Sequence, residues 1–179
     1  MINTIKDLIE ELEKIQKYED NRLGVLILFL YAEYYSVELL KKHKLSNNFD
    51  FICSCGEKTG TRSLNIEERI RKFIEIKVLK EEDHPPFKLL NDVRNRLIHD
   101  ISPDNSKIEG WIREYAPAAS TEYLKNLLNE QSYWIKFYLN LVAATANIYH
   151  LLNPDGPKLE CIQKDTITGK WIFHIKVRE

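Results

Sequence analysis

Apolar residues recur at helical spacing along most of this chain. Ile2, Ile5, Ile9 and Leu12 step by threes and fours, with Ile15 close behind, while Lys6, Asp7, Glu10, Glu11 and Lys14 take the opposite side, which predicts an amphipathic first helix. Thr4 with Asp7, or Asn3, can cap its first turn, and Tyr18 to Asn21 is the expected break. A second helix, from about Arg22 to His43, is apolar nearly all round through its first half, the pattern of a bundle's buried centre. Asn65 with Glu68 three positions on forms a capping box ahead of Ile66, Ile70, Phe73 and Ile74, predicting a third helix that ends near Leu79. A fourth starts at His84-Pro85-Pro86, where a first turn can spare its N–H groups, buries Phe87, Leu90, Val93 and Leu97, and stops at Ser102-Pro103. The last long helix carries Leu124, Leu128, Gln131, Ile135, Tyr138, Val142, Thr145, Tyr149 and Leu152 in alternating fours and threes, a seam that packs along near-parallel neighbours.

Two stretches break this rhythm. Ser46 to Ser63 holds Asn47-Asn48, Gly56, Gly60 and several Ser and Thr residues, an irregular insertion with room for a short hairpin around the cysteines. Asn153-Pro154-Asp155-Gly156-Pro157 ends the last helix, and the tail then alternates and turns through Asp165 to Gly169 into Trp171 to Val177, predicting a terminal β-hairpin. Ser102 to Ala119, with Pro103, Gly110 and Pro117, reads as a loop leaving directly from His99 and well placed to line a groove. The expected fold is therefore all-α, an up-and-down bundle of about four to five helices with a small C-terminal hairpin. Residues 1–153 form the bundle, with the insertion at about 46–63, and 158–178 the appended hairpin.

Composition narrows the classes. With 179 residues and 44% hydrophobic content the chain can bury a sizeable core, and 26 basic against 27 acidic residues leave a net charge of −1. No excess of positive charge advertises general nucleic-acid binding, so any RNA site must be local. The charged first twenty residues do not read as a signal peptide, and the apolar run Val25 to Tyr31 is short for a bilayer and followed by Glu33 and Glu38, so a cytoplasmic protein without membrane contact is expected. Either glutamate can neutralise a basic group near the site described next, although a helix-edge salt bridge is the simpler role. Cys53, Cys55 and Cys161 are an odd number, for which reduced thiols are the default. Zinc would need more than Cys53-Ser54-Cys55, with only His43 and Cys161 as conceivable completions. No metal or other cofactor is expected.

The stretch built for chemistry is Asn91-Asp92-Val93-Arg94-Asn95-Arg96-Leu97-Ile98-His99-Asp100. Asn95 and His99 are four apart, so the amide can orient the imidazole and choose its protonated nitrogen. Arg94 is differently placed: five residues at about 100° each set it roughly 140° around a regular helix from His99. The two converge only if the helix loosens near Asp100 or if a second copy supplies its own Arg and His across a two-fold axis, which is the favoured solution. Arg96 lies four from Asp92 and from Asp100, a surface charge ladder or a contact for RNA. Tyr34, Tyr35, Trp111 and Tyr115 could stack on bases but are more simply packing residues.

Arg94-Asn95-x-x-x-His99, late in a helix and preceded by Ser36-Val37-Glu38-Leu39-Leu40-Lys41, resembles the Arg-x4-6-His motif of HEPN domains, small all-α proteins of which many are metal-independent ribonucleases with a site shared between two protomers. The resemblance implies a homodimeric endoribonuclease acting as a toxin or antiviral-defence effector, with RNA as substrate and an antitoxin or regulatory protein as a further partner. Arg94, Asn95 and His99 would be catalytic and Arg96 would bind substrate. RNA carries its own nucleophile, so His99 as base and acid and Arg94 on the phosphate would suffice, leaving a 2′,3′-cyclic phosphate and a 5′-OH. The alternatives are a non-catalytic HEPN-like module that binds a nucleotide, an RNA or a protein with the same residues, and an unrelated helical interaction domain.

Overall fold

A computed structural model describes residues 4–16, 21–99 and 133–176, with backbone alone for 96–99 and for a few other helix-end positions. The loop from Ser102, with Trp111 and Tyr115, and the part of the last helix before Tyr133 lie outside the described residues, as does the expected stop at Ser102-Pro103.

The described part is mostly helical, with two antiparallel hairpins. Helix α1 spans Ile5–Gln16 and α2 Asn21–Lys42; strands β1, Asn48–Ile52, and β2, Lys58–Ser63, fill the insertion. Helix α3 spans Ile66–Glu75; a single 3-10 turn, Glu81–Asp83, leads into α4, His84–His99. Helix α5, Tyr133–Leu152, is followed by β3, Lys158–Lys164, and β4, Trp171–Lys176.

Both expected N-terminal caps form. The Asp7 N–H donates to Thr4 Oγ1 at 3.2 Å while Asp7 Oδ2 accepts from the Thr4 N–H at 2.8 Å. The Asn65 and Glu68 side chains exchange the same reciprocal bonds at the start of α3. That helix ends at Glu75, short of the expected Leu79, because Lys77 turns left-handed at φ 60°. The Val78 N–H then reaches Phe73 O at 2.8 Å and the Lys77 N–H reaches Ile74 O at 2.9 Å, a Schellman closure. Lys44, at φ 55°, ends α2 in the same way, with Leu45 N–H on Leu40 O and Lys44 N–H on Lys41 O.

Helix α2 is the centre of the packing, in contact with α1, α3, α4 and α5. It runs parallel to α5. Near their starts, a β-carbon on Gly24 would lie 3.1 Å from the Tyr138 ring; at their ends, Lys42 Nζ donates to the carbonyls of Leu151 and Leu152 at 2.8 and 3.0 Å. Helix α4 runs the other way: Asp83, just ahead of it, meets Asn147 near the end of α5, and its later half meets the first half of α2. Phe87, Leu90 and Val93 are fully buried, as the pattern required, and Leu89 joins them. The terminal hairpin contributes Ile162 and Phe173 to the same core.

Two buried clusters replace roles left open by the sequence. Tyr35 is packing material: its ring centroid lies 5.2 Å from Tyr149 and 5.8 Å from Tyr31, and burial pushes its hydroxyl well above the ordinary tyrosine range. Glu33 accepts from Arg69 Nη1 at 2.6 Å, and that buried guanidinium also donates to Ser36 Oγ, Asn47 Oδ1 and Leu64 O. Glu38 pairs with Lys41, three positions on along the exposed edge of α2. Neither glutamate is spent on the Arg94 region.

The expectation of reduced thiols is overturned at the insertion. Cys53 and Cys55 are joined as a disulfide, their Cα atoms 5.3 Å apart at the tip of the β1–β2 hairpin, while Cys161 on β3 is free. The reason is local. The turn held by Cys53 N–H on Glu57 O and Gly56 N–H on Cys53 O folds the two cysteines toward each other, an arrangement that counting cysteines does not reveal. The bonded sulfurs are no longer the thiolate pair that a zinc site would start from.

Candidate functional site around Arg94

Helix α4 sets Arg94 and Asn95 on its half-buried flank beside α2, one position past the buried Val93. The Arg94 guanidinium donates from Nη1 to Asn95 Oδ1 at 2.8 Å, and its carbon lies 4.9 Å from the centre of the Phe29 ring. A flat cation resting on an aromatic face and held at one edge by an amide is a group suited to a phosphate or carboxylate. Among the described residues no carboxylate is paired with Arg94.

The Asn95 carbonyl oxygen accepts from Arg94, and the contact expected between Asn95 and His99 lies outside the described residues, because the His99 side chain does. The backbone of α4 stays helical through His99, so within the described residues the helix does not loosen to bring His99 round to Arg94. The side chains of Arg96 and His99 lie outside the described residues, as do those of Leu97 and Asp100. Arg94 and Asn95 are thus together, and the relation of His99 and Arg96 to them is fixed only by their places on the helix.

Phe29 is the residue that sequence reasoning missed. Its only signal was membership of an apolar helix, where every ring looks like core. Beside it, Leu23, Leu26, Leu30 and Tyr34 form an exposed apolar stripe along α2, with Leu30 57% exposed. The spacing of three, four and four keeps them on one side. The window Leu23–Lys42 is long and apolar enough to cross a membrane by length and composition, and half of it is buried in the protein. Tyr34, once a stacking candidate, belongs to this stripe, with its ring 5.8 Å from that of Tyr35.

Elsewhere, His84 Nε2 lies 3.3 Å from Glu67 Oε1 where α3 and α4 begin, a contact that joins two helices rather than a second set of catalytic groups. Among the described residues no three His, Cys, Asp or Glu side chains gather as a metal site would require. Set against family models, curated proteins and solved structures, the chain matches none of them.

Proposed function

We propose that this chain is a homodimeric endoribonuclease of the HEPN type, a toxin or defence effector that cleaves RNA by attack of the 2′-OH without a metal ion. The observation that carries the reading is Arg94, a half-buried guanidinium set on Phe29 and steadied by Asn95, on the same helix as His99. His99 takes the 2′-OH proton in one protomer and the partner's copy returns a proton to the leaving 5′-oxygen. Arg94 meets the charge that grows on the non-bridging phosphate oxygens. Arg96, farther round the helix, grips a neighbouring phosphate. The direction of α4, opposed to those of α2 and α5, supports an up-and-down bundle as the frame.

The second copy is needed because Arg94 and His99 leave a regular helix roughly 140° apart. The exposed stripe Leu23, Leu26, Leu30 and Tyr34 is the face we assign to it: the stripe flanks Phe29, and Arg94 with it, so a two-fold contact there brings two copies of the site together. Glu33, beside the stripe, is engaged by Arg69 and leaves no free charge to be buried.

The test is cleavage of a mixed RNA by purified protein in EDTA, beside Arg94→Ala and His99→Ala variants shown by circular dichroism to be folded. Cleavage that leaves 2′,3′-cyclic phosphate ends and falls at least a hundredfold in both variants supports the reading. Equal cleavage by wild type and variants removes it. A specific observation favours a second reading, a non-catalytic RNA- or protein-binding module: the Asn95 bond and the Phe29 contact are enough to hold Arg94 as a packing residue. That reading predicts RNA retention without cleavage, weakened by Arg94→Ala and unchanged by His99→Ala.

A further inference from the structure

We infer that Cys53 and Cys55 form a reversible thiol–disulfide exchange site whose co-reactant is a small-molecule thiol or its disulfide. The bond spans one intervening residue, so it restricts the unfolded chain far less than a bridge across a long loop would. The turn it crosses is already closed by Cys53 N–H on Glu57 O and Gly56 N–H on Cys53 O, both at 2.9 Å. The hairpin that carries it is exposed along both strands and has no core to fasten. The strands are further tied by Thr61 Oγ1 on Asp50 and Lys58 on Asp50. A staple contributes little there. A reactive pair gains from the position, because an attacking thiolate must reach one sulfur along the line of the bond.

The two sulfurs are not equivalent. Cys55 is exposed, whereas Cys53 is partly covered and its Sγ accepts the Glu57 N–H at 3.3 Å. A backbone N–H on sulfur favours the thiolate, which makes Cys53 the better leaving group and Cys55 the sulfur attacked. A thiolate RS⁻ adds to Cys55 Sγ, the S–S bond breaks, and its electron pair departs on Cys53, leaving RS bonded to Cys55. A second RS⁻ attacks the R sulfur of that mixed disulfide, releasing RSSR and the Cys55 thiolate. Two thiols are oxidised, the protein pair is reduced by two electrons, and the cysteines take up the two protons that the thiols gave up. Excess RSSR runs the sequence backwards. Cys161 lies free and half-buried on another hairpin, so it takes no part in this exchange.

The experiment uses the full chain carrying Cys161→Ser, equilibrated in glutathione and glutathione disulfide at graded ratios, quenched with acid, alkylated and weighed intact. The expected result is a two-state change between zero and two alkyl groups, centred within millimolar glutathione buffers, while circular dichroism stays native. In single variants, Cys55→Ser, which keeps Cys53, should react with iodoacetamide several-fold faster at neutral pH than Cys53→Ser. A pair that resists glutathione until the protein unfolds overturns the proposal as a structural bridge. A pair that stays reduced in excess glutathione disulfide, or that is purified with one zinc ion per chain, overturns it equally.

Discussion

At the scale of single residues, the strongest commitments lie where a charge is buried. Arg69 is 4% exposed and spends its guanidinium on Glu33, Ser36, Asn47 and Leu64, joining α2, the insertion and α3. Removing it strands those acceptors, so Arg69→Met should cost about 3 kcal/mol in urea unfolding, and Arg69→Lys, which lacks the planar fork, more than half as much. Nothing in the sequence announced this. Arg69 sits between Glu68 and Ile70 like any helix-surface arginine, and only the fold turns it inward. Glu68 is the readable counterpart, since its capping box was legible from Asn65. Its second role was not: Arg62 on β2 grips both carboxylate oxygens and, with the Asn65 N–H, holds the group down to about 2. A depressed folded value means that the stabilisation is complete above the unfolded carboxylate range near 4.5 and is lost as pH falls through about 2. With Arg62 well exposed to solvent, we expect on the order of 1 kcal/mol, seen as a stability difference between wild type and Glu68→Gln at pH 6 that disappears near pH 2.

At the scale of elements, periodicity located the helices because each buries a stripe, and it overran the end of α3, where closure depends on backbone geometry. The stop of α3 at Glu75 and of α2 at Lys42 both rest on a lysine in the left-handed region, where glycine is the usual signal. Val78 and Leu79 still bury apolar surface after the chain has left the helix, so the hydrophobic pattern ran past the true end. This makes a clean prediction. Lys77→Gly and Lys44→Gly should each add about 0.5–1 kcal/mol to the free energy of urea unfolding, because relief of the left-handed strain outweighs the added freedom of the unfolded chain. The α2–α5 contact tests the opposite case. Gly24 leaves room for the Tyr138 ring, so Gly24→Leu should cost about 1–3 kcal/mol by overpacking, even though leucine is the better helix former. The hairpin around the cysteines was legible, but the Cys53–Cys55 bond was not, for a related reason: a two-residue separation says nothing about whether the backbone folds the sulfurs together.

At the scale of the whole molecule, the sequence foretold a mostly helical fold with a C-terminal hairpin, and the motif stretch announced its candidate residues. It could not say what surrounds them, since Phe29 reaches Arg94 from sixty-five positions away and the exposed stripe on α2 looks, residue by residue, like core. That stripe supplies the most exacting test of a dimeric site. Leu30 is 57% exposed, so Leu30→Asp places a charge where water already reaches and should leave the helical content of the folded chain nearly unchanged. If the stripe seats a second copy, the variant sediments as a monomer where wild type is a dimer, and RNA cleavage falls with it. The reading that both protomers supply His99 can then be checked by dilution. When wild type exchanges subunits with a tenfold excess of His99→Ala, only about one wild-type chain in eleven keeps a wild-type partner, so cleavage per wild-type chain should fall about tenfold. If cleavage per wild-type chain is unchanged, each protomer works alone and the two-fold site is wrong, while loss of cleavage in His99→Ala itself would still stand as the mark of the enzyme. A Leu30→Asp protein that remains dimeric moves the interface elsewhere, and one that instead loses binding to lipid vesicles assigns the stripe to a membrane surface.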